Sequence, residues 1–169
     1  MRRLPTVPFI LILALAATVS LASDCDDDPT GIDVDAEFRA NLTGAAERPD
    51  PVTTDATGTA FIDVNGTTVR FRVEVEDIQD VTQAHIHVGA TDVAGPIVVE
   101  LFNAGGNPVS FTTRGVLAEA TFTQADIDVD SGITTLDALL AAMAGGTTYV
   151  NVHTSANPAG EIRGQIVAN

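Results

Sequence analysis

The chain has 169 residues, with 23 acidic side chains, eight arginines and no lysine, which gives a net charge of −15. A surface this acidic repels nucleic acids and anionic membranes, so we exclude nucleic acid as a partner. The length suits a single domain, and the one cysteine excludes an internal disulfide bond.

The first part of the chain predicts export. Residues 1–22 contain two arginines, an apolar run and small residues, which is typical of a secretory signal peptide with cleavage after Ala22. The apolar run is too short to span a membrane, so we expect no transmembrane segment. Residues 23–35 are acidic and indicate a disordered linker. Cleavage would leave six arginines against 23 acidic residues, a net charge of −17.

Cys25 lies just after the expected cleavage site, where a bacterial lipoprotein carries its lipid anchor. The lipid-attachment signal requires a small residue before the cysteine, and Asp24 fits this requirement poorly. Two interpretations stay open: a lipid anchor at Cys25, or an unpaired cysteine in the linker.

Strand signals bounded by turn residues dominate from residue 36 onward. They predict strands at 37–42, 58–64, 68–76, 83–89, 96–102, 116–122, 147–154 and 161–167. Asn65-Gly66 indicates a hairpin, and a helix is expected over 135–144, with Thr134 or Thr135 as its cap and Gly145 as its end. The pattern predicts an all-β fold over residues 36–169, an antiparallel Greek-key β-sandwich or barrel with one short helix. The residues expected in the core are Phe61, Phe71, Val73, Ile86, Val150, Val152 and Ile162.

Two of the predicted strands carry all three histidines of the chain. Side chains alternate between the faces of a strand, so His85 and His87 share the outer face of one strand, and His153 lies on the outer face of another. If the strands are neighbours, three imidazoles converge and form a site suited to copper or zinc. The alternative is that these are outward polar residues hydrogen-bonded to their neighbours.

A second candidate site is an acidic segment before the helix. Asp126, Asp128, Asp130 and Asp137 have the spacing of oxygen ligands in a calcium loop. The turn position holds Ser131 where such loops have glycine, so a solvated acidic loop is the alternative. The sequence contains neither the Gly-x-Ser-x-Gly motif of a nucleophilic serine nor a phosphate-binding loop.

Several motifs resemble the chordin-type CHRD domain in their order along the chain. They are Leu-Thr-Gly-Ala-Ala-Glu-Arg-Pro at 42–49, Ala-His-Ile-His-Val-Gly at 84–89, Tyr-Val-Asn-Val-His-Thr at 149–154 and Asn-Pro-Ala-Gly-Glu-Ile-Arg-Gly-Gln at 157–165. The resemblance covers most of the chain after residue 36. It implies an extracellular, non-enzymatic binding module.

The segment 146–153 and the His-Ile-His strand also resemble copper/zinc superoxide dismutase. This resemblance implies three copper ligands at His85, His87 and His153. The bridging histidine, the zinc-site histidines and the disulfide of that family have no counterpart here, which argues against dismutase activity. Its catalytic arginine is replaced by Ile162, and Arg163 comes one residue later, where an ion pair or a loop anchor is expected.

These observations favour a secreted or envelope-associated CHRD-domain protein that is not an enzyme and binds an extracellular protein or surface ligand. Two alternatives remain. One is a copper-binding or redox protein that uses the three histidines. The other is a structural component of the cell surface or matrix.

Overall fold

A computed structural model of the protein describes residues 36–169. The predicted signal peptide, the acidic linker and the lipid anchor at Cys25 lie outside the described residues. Within residues 36–169 the chain forms ten strands and one α-helix. They are β1 (Phe38–Thr43), β2 (Thr57–Asn65), β3 (Thr68–Glu76), β4 (Ile78–Val88), β5 (Ile97–Asn103), β6 (Val109–Phe111), β7 (Gly115–Thr123), α1 (Leu136–Ala144), β8 (Thr148–Thr154), β9 (Ile162–Gln165) and β10 (Val167–Ala168).

The strands form one antiparallel sheet in the order β5-β4-β8-β9-β1-β2-β3-β7, with β10 beside β1 and β6 beside β4. The two ends of this order, β5 and β7, contact each other, so the sheet is a nearly closed barrel. The predicted antiparallel all-β fold with one helix is therefore confirmed. The order places β4, β8 and β9 side by side, although long stretches of chain separate β4 from β8.

The core lies inside the barrel, and strand alternation fills it. On β3, Val69, Phe71, Val73 and Val75 are all buried, while the residues between them are only partly covered. Six of the seven predicted core residues belong to this cluster: Phe71, Val73, Ile86, Val150, Val152 and Ile162.

Phe61 is also buried, as the sequence predicted, but it lies outside the main core. Phe61 has the same parity as Asp63 and therefore points away from the core, where it forms a small separate cluster with Ala36. The guanidinium carbon of Arg39 lies 5.3 Å from its ring centre. Ile62, one residue further on, takes the core position and is fully buried.

The ends of the helix follow the expected signals, and the hairpin turn lies one residue later than expected. The Thr135 hydroxyl accepts a hydrogen bond from the Ala138 amide and caps α1, which ends at Gly145. In the hairpin, Asn65 pairs with Thr68, so the two turn residues are Gly66, with φ of 61°, and Thr67. The sequence did not predict β6. In the described part of the chain, no helix has the length and apolar character needed to cross a membrane.

Gly164 lets β9 lie close to β1. A Cβ atom there would collide with the carbonyl oxygen of Asn41, and it would lie 3.0 Å from a methyl group of Leu42. We therefore expect Gly164→Ala to lower the free energy of unfolding by about 2 kcal/mol, since forcing atoms into a packed interior typically costs this much. Urea unfolding followed by circular dichroism measures the change.

Gly145→Ala is the matched control. Its backbone has an ordinary helical φ of −79°, and the nearest atom to a new Cβ is 3.3 Å away. The free energy of unfolding of this variant should lie within about 0.5 kcal/mol of the wild-type value. An unfolding midpoint for Gly164→Ala equal to that of the wild type would contradict the close approach of β9 to β1.

Candidate metal site

Two neighbouring strands carry the three histidines. His85 and His87 lie on β4, and His153 lies on β8, which pairs antiparallel with β4. The register sets His85 opposite Asn151 and His87 opposite Tyr149. Alternate side chains of both strands therefore share the face turned away from the core, and the three imidazoles lie together there.

This face is buried, whereas strand alternation predicted outward, solvated side chains. His85, His87 and His153 are only 3%, 8% and 9% exposed. Carbonyl groups in the loop between β4 and β5 (residues 89–96) and in the loop between β8 and β9 (residues 155–161) accept hydrogen bonds from the rings of His87 and His153. The histidines thus lie in a second interior layer, between the sheet and these loops.

Hydrogen bonds to the loops determine which ring nitrogens face the centre of the cluster. His87 Nδ1 lies 2.9 Å from the carbonyl oxygen of Gly95, and His153 Nδ1 lies 3.0 Å from that of Pro158. Because a carbonyl oxygen only accepts, both neutral rings carry their proton on Nδ1 and keep a lone pair on Nε2. Metal-binding histidines are commonly oriented by such bonds.

One ring nitrogen from each histidine lies within 4.8 Å of the other two. His85 Nδ1 and His153 Nε2 are 3.1 Å apart. Two nitrogens that each bind one ion at about 2.0 Å lie about 3 Å from each other. His87 Nε2 is buried and has no hydrogen-bond partner among residues 36–169. The three nitrogens are therefore of the type, and are grouped closely enough, to be candidate ligands of one metal ion.

Burial also keeps the imidazoles neutral. Loss of hydration, together with repulsion from the neighbouring histidines, lowers the pKa of His85 to about 4. Loss of hydration lowers the pKa of His87 to about 4 as well, although its bond to Gly95 opposes the change. The pKa of His153 falls below 6.5 for the same reason. Metal ions bind neutral imidazole, and the cluster is uncharged at neutral pH.

An aromatic ring and an arginine continue this layer across the sheet. The ring of Tyr149 stacks on His87, with ring centres 4.9 Å apart and planes 7° from parallel. The guanidinium carbon of Arg163 lies 3.4 Å from the centre of the Tyr149 ring, and its Nη2 donates to the carbonyl oxygen of Ala90 at 2.9 Å. Arg163 is 2% exposed, and its bond to Ala90 anchors the covering loop, which is one of the two roles that the sequence suggested.

Glu47 places a carboxylate in the same layer. It is 3% exposed, and its Oε1 accepts a hydrogen bond of 2.6 Å from Asn151 Nδ2. A side chain at Gly160 would collide with both groups, so that glycine makes room for them. Burial raises the pKa of Glu47 from 4.5 to about 7, although a backbone hydrogen bond from Arg48 and the charge of Arg163 oppose the change.

Glu161 holds the loop that covers His153. Its carboxylate accepts hydrogen bonds from the hydroxyls of Thr54 and Thr154, at 2.8 and 2.7 Å, and from Asn157 Nδ2 at 3.1 Å. These bonds fasten the β8–β9 loop at both ends. The carbonyl that orients His153 therefore belongs to a fixed segment.

The acidic segment before the helix does not form a comparable group. Asp126, Asp128, Asp130 and Asp137 are all exposed. The Asp126 carboxylate accepts from the amide and hydroxyl of Thr123, and Asp128 accepts from the Asp130 amide, so both cap short 3₁₀ turns. Across residues 36–169, the one group of three or more candidate ligands close together is the histidine group. Calcium binding stays a prediction, and within residues 36–169 these four aspartates do not form a group of candidate ligands.

Sequence reasoning did not find the roles of Glu47 and Tyr149. Glu47 was noted only as part of a motif, and its partner Asn151 is 104 residues away. Tyr149 has the parity of the histidines, but its stacking on His87 depends on the register of β4 with β8. The shared parity could have indicated that Tyr149 lies beside the histidines. No pattern in the sequence indicated that Glu47 is buried.

These features describe an antiparallel β-barrel domain with a buried histidine cluster outside its core. The family model described as the CHRD domain matches residues 38–166. This match spans most of the sequence, and the chain belongs to the CHRD family. Neither a curated protein nor a solved structure matches the chain.

Glu47 should make stability depend on pH. With a pKa of 4.5 unfolded and about 7 folded, the folded state holds more protons between these values, so stability is lost as the pH rises through 7. We expect the free energy of unfolding of the wild type, relative to Glu47→Gln, to fall by about 2 kcal/mol between pH 5 and pH 8. Denaturant unfolding at several pH values measures this difference.

The comparison with Glu47→Gln removes the contribution of the histidines. Their lowered pKa values act in the opposite direction, because their stabilising effect is lost as the pH falls below 6.5 in both proteins. A difference that does not change between pH 5 and pH 8 would show that the Glu47 carboxylate is not desolvated.

Proposed function

We propose that this CHRD-family protein is exported and works outside the cytoplasm as a non-enzymatic binding module for one copper ion. His85, His87 and His153 would supply the three ligands. The observation that supports this most strongly is the convergence of three buried imidazole nitrogens, one of which has no partner among residues 36–169. A buried acceptor without a partner costs free energy, and a bound cation removes that cost.

Copper fits this ligand set better than other common metals. Imidazole nitrogen suits copper and zinc, whereas calcium and magnesium require oxygen ligands. Between copper and zinc, divalent copper binds nitrogen ligands more tightly. In the cluster itself, His85 Nδ1 donates a hydrogen bond to His153 Nε2. A bound ion would take the place of the hydrogen between the two nitrogens, and His85 would stay neutral by carrying its proton on Nε2 instead.

Copper uptake tests the proposal directly. Full-length protein is incubated with a copper(II) salt and desalted. Its metal content is then measured by inductively coupled plasma mass spectrometry. We expect one copper per chain for the wild type and less than a tenth of that for His85→Ala/His153→Ala, which removes two of the only three histidines. Copper should also raise the unfolding temperature of the wild type and leave that of the variant unchanged.

Asp126→Asn/Asp128→Asn is the matched control, since it removes two exposed carboxylates and leaves the histidines intact. Its copper content should equal that of the wild type. Equal uptake by the wild type and the double-histidine variant would mean that copper binds elsewhere, and the proposal would then be abandoned.

Export is supported by the basic, apolar and small-residue pattern of residues 1–22 and by family membership, since CHRD domains are typically extracellular. Expression in a bacterial host should give a product outside the cytoplasm that begins after Ala22. Intact mass measurement of that product provides the test. A retained Met1 would contradict cleavage, and the added mass of a diacylglycerol group on Cys25 would show a lipoprotein.

A further inference from the structure

We infer that the three-histidine site selects monovalent copper over divalent copper. The inference rests on the copper site proposed above and concerns the oxidation state that the site prefers. Its basis is the charge of the ligands, their number, and a buried cation on the same layer of the structure.

The ligands are neutral and buried. Across residues 36–169, the clustered candidate ligands are three histidines with no carboxylate among them, and each is less than a tenth exposed. Removing an ion from water becomes much more costly as its charge rises, and anionic ligands normally offset that cost. Three imidazoles offset it poorly for a divalent ion, so the site favours the ion with the smaller charge.

The number of ligands favours the same ion. Divalent copper typically adopts square-planar or tetragonal coordination, which needs at least four ligands. The described residues supply three. A monovalent copper ion needs fewer ligands and has no comparable geometric demand, so three imidazoles can satisfy it.

Arg163 adds a fixed positive charge to this layer. Its guanidinium lies 3.4 Å from the centre of the Tyr149 ring, and that ring stacks at 4.9 Å on His87. The guanidinium carbon is thus within about 8 Å of the His87 ring, close enough for a buried charge to act. A cation at this distance opposes the second positive charge of divalent copper more than the single charge of monovalent copper.

Glu47 has the opposite effect. Its carboxylate attracts Arg163 and is bound to Asn151, which lies between Tyr149 and His153 on the same face of β8. When ionised, it offsets part of the arginine charge. The two buried side chains should therefore shift the preference of the site in opposite directions, which a general loss of packing would not do.

The experiment measures the dissociation constants of both ions with full-length protein at pH 7.5. Monovalent copper is measured without oxygen, with ascorbate as reductant and bicinchoninate as competitor, and divalent copper is measured in air with glycine as competitor. For the wild type we expect monovalent copper to bind more tightly. Arg163→Gln should lower this preference about tenfold, which corresponds to a reduction potential about 59 mV lower, and Glu47→Gln should raise it.

Two further variants serve as controls. Arg163→Lys keeps the charge and should keep the preference of the wild type within about threefold. Arg70→Gln removes an arginine from β3, which lies four strands from β8 in the sheet, and should leave the preference unchanged. A loss of preference in Arg70→Gln equal to that in Arg163→Gln would overturn the role of the Arg163 charge.

The outcomes separate this inference from the proposal on which it rests. If divalent copper binds the wild type as tightly as monovalent copper, and both require the histidines, the copper site stands and the selectivity is refuted. If His85→Ala/His153→Ala binds both ions as the wild type does, the copper site itself is refuted.

Discussion

The antiparallel register between β4 and β8 is the constraint on which the rest of this structure depends. It sets His85 opposite Asn151 and His87 opposite Tyr149, and it sends Ile86 and Val150 into the core. A slip of one residue would exchange the two faces of a strand, placing imidazoles in the core and apolar side chains outside it. The same pairing therefore fixes both the hydrophobic interior and the histidine cluster, and neither can change without the other.

A second consequence of this pairing is a polar interior layer on the outer side of the barrel. Every residue of β8 is buried, because the core covers one face and the loops cover the other. Buried polar groups must find partners, and here some bond to loop carbonyls, as His87 does to Gly95 and His153 to Pro158, while others bond to side chains, as Asn151 does to Glu47. Two glycines of the covering loops make room for this layer. Gly160 leaves room for Glu47, and at Gly95 a side chain would collide with the Val88 carbonyl.

Local patterns in the sequence were sufficient to predict most strands, the helix with its cap, and the shared face of the three histidines. Period-two alternation failed at β2, where both Phe61 and Ile62 are apolar and the pattern does not show which one faces the core. It also could not show that loops cover the histidines, because that depends on contacts between distant residues. The bonds of Arg163 to Ala90 and of Asn151 to Glu47 join positions 73 and 104 residues apart, and no local pattern encodes them.

The central claim is that three buried imidazoles bind one copper ion, and a crystal structure of the copper-loaded protein tests it most directly. Anomalous scattering at the copper absorption edge locates the ion independently of any assumption about its ligands. We predict a single strong peak about 2.0 Å from His85 Nδ1, His87 Nε2 and His153 Nε2. A copper-loaded crystal whose only anomalous peaks lie at carboxylates, with His85 Nδ1 still hydrogen-bonded to His153 Nε2, would contradict the account.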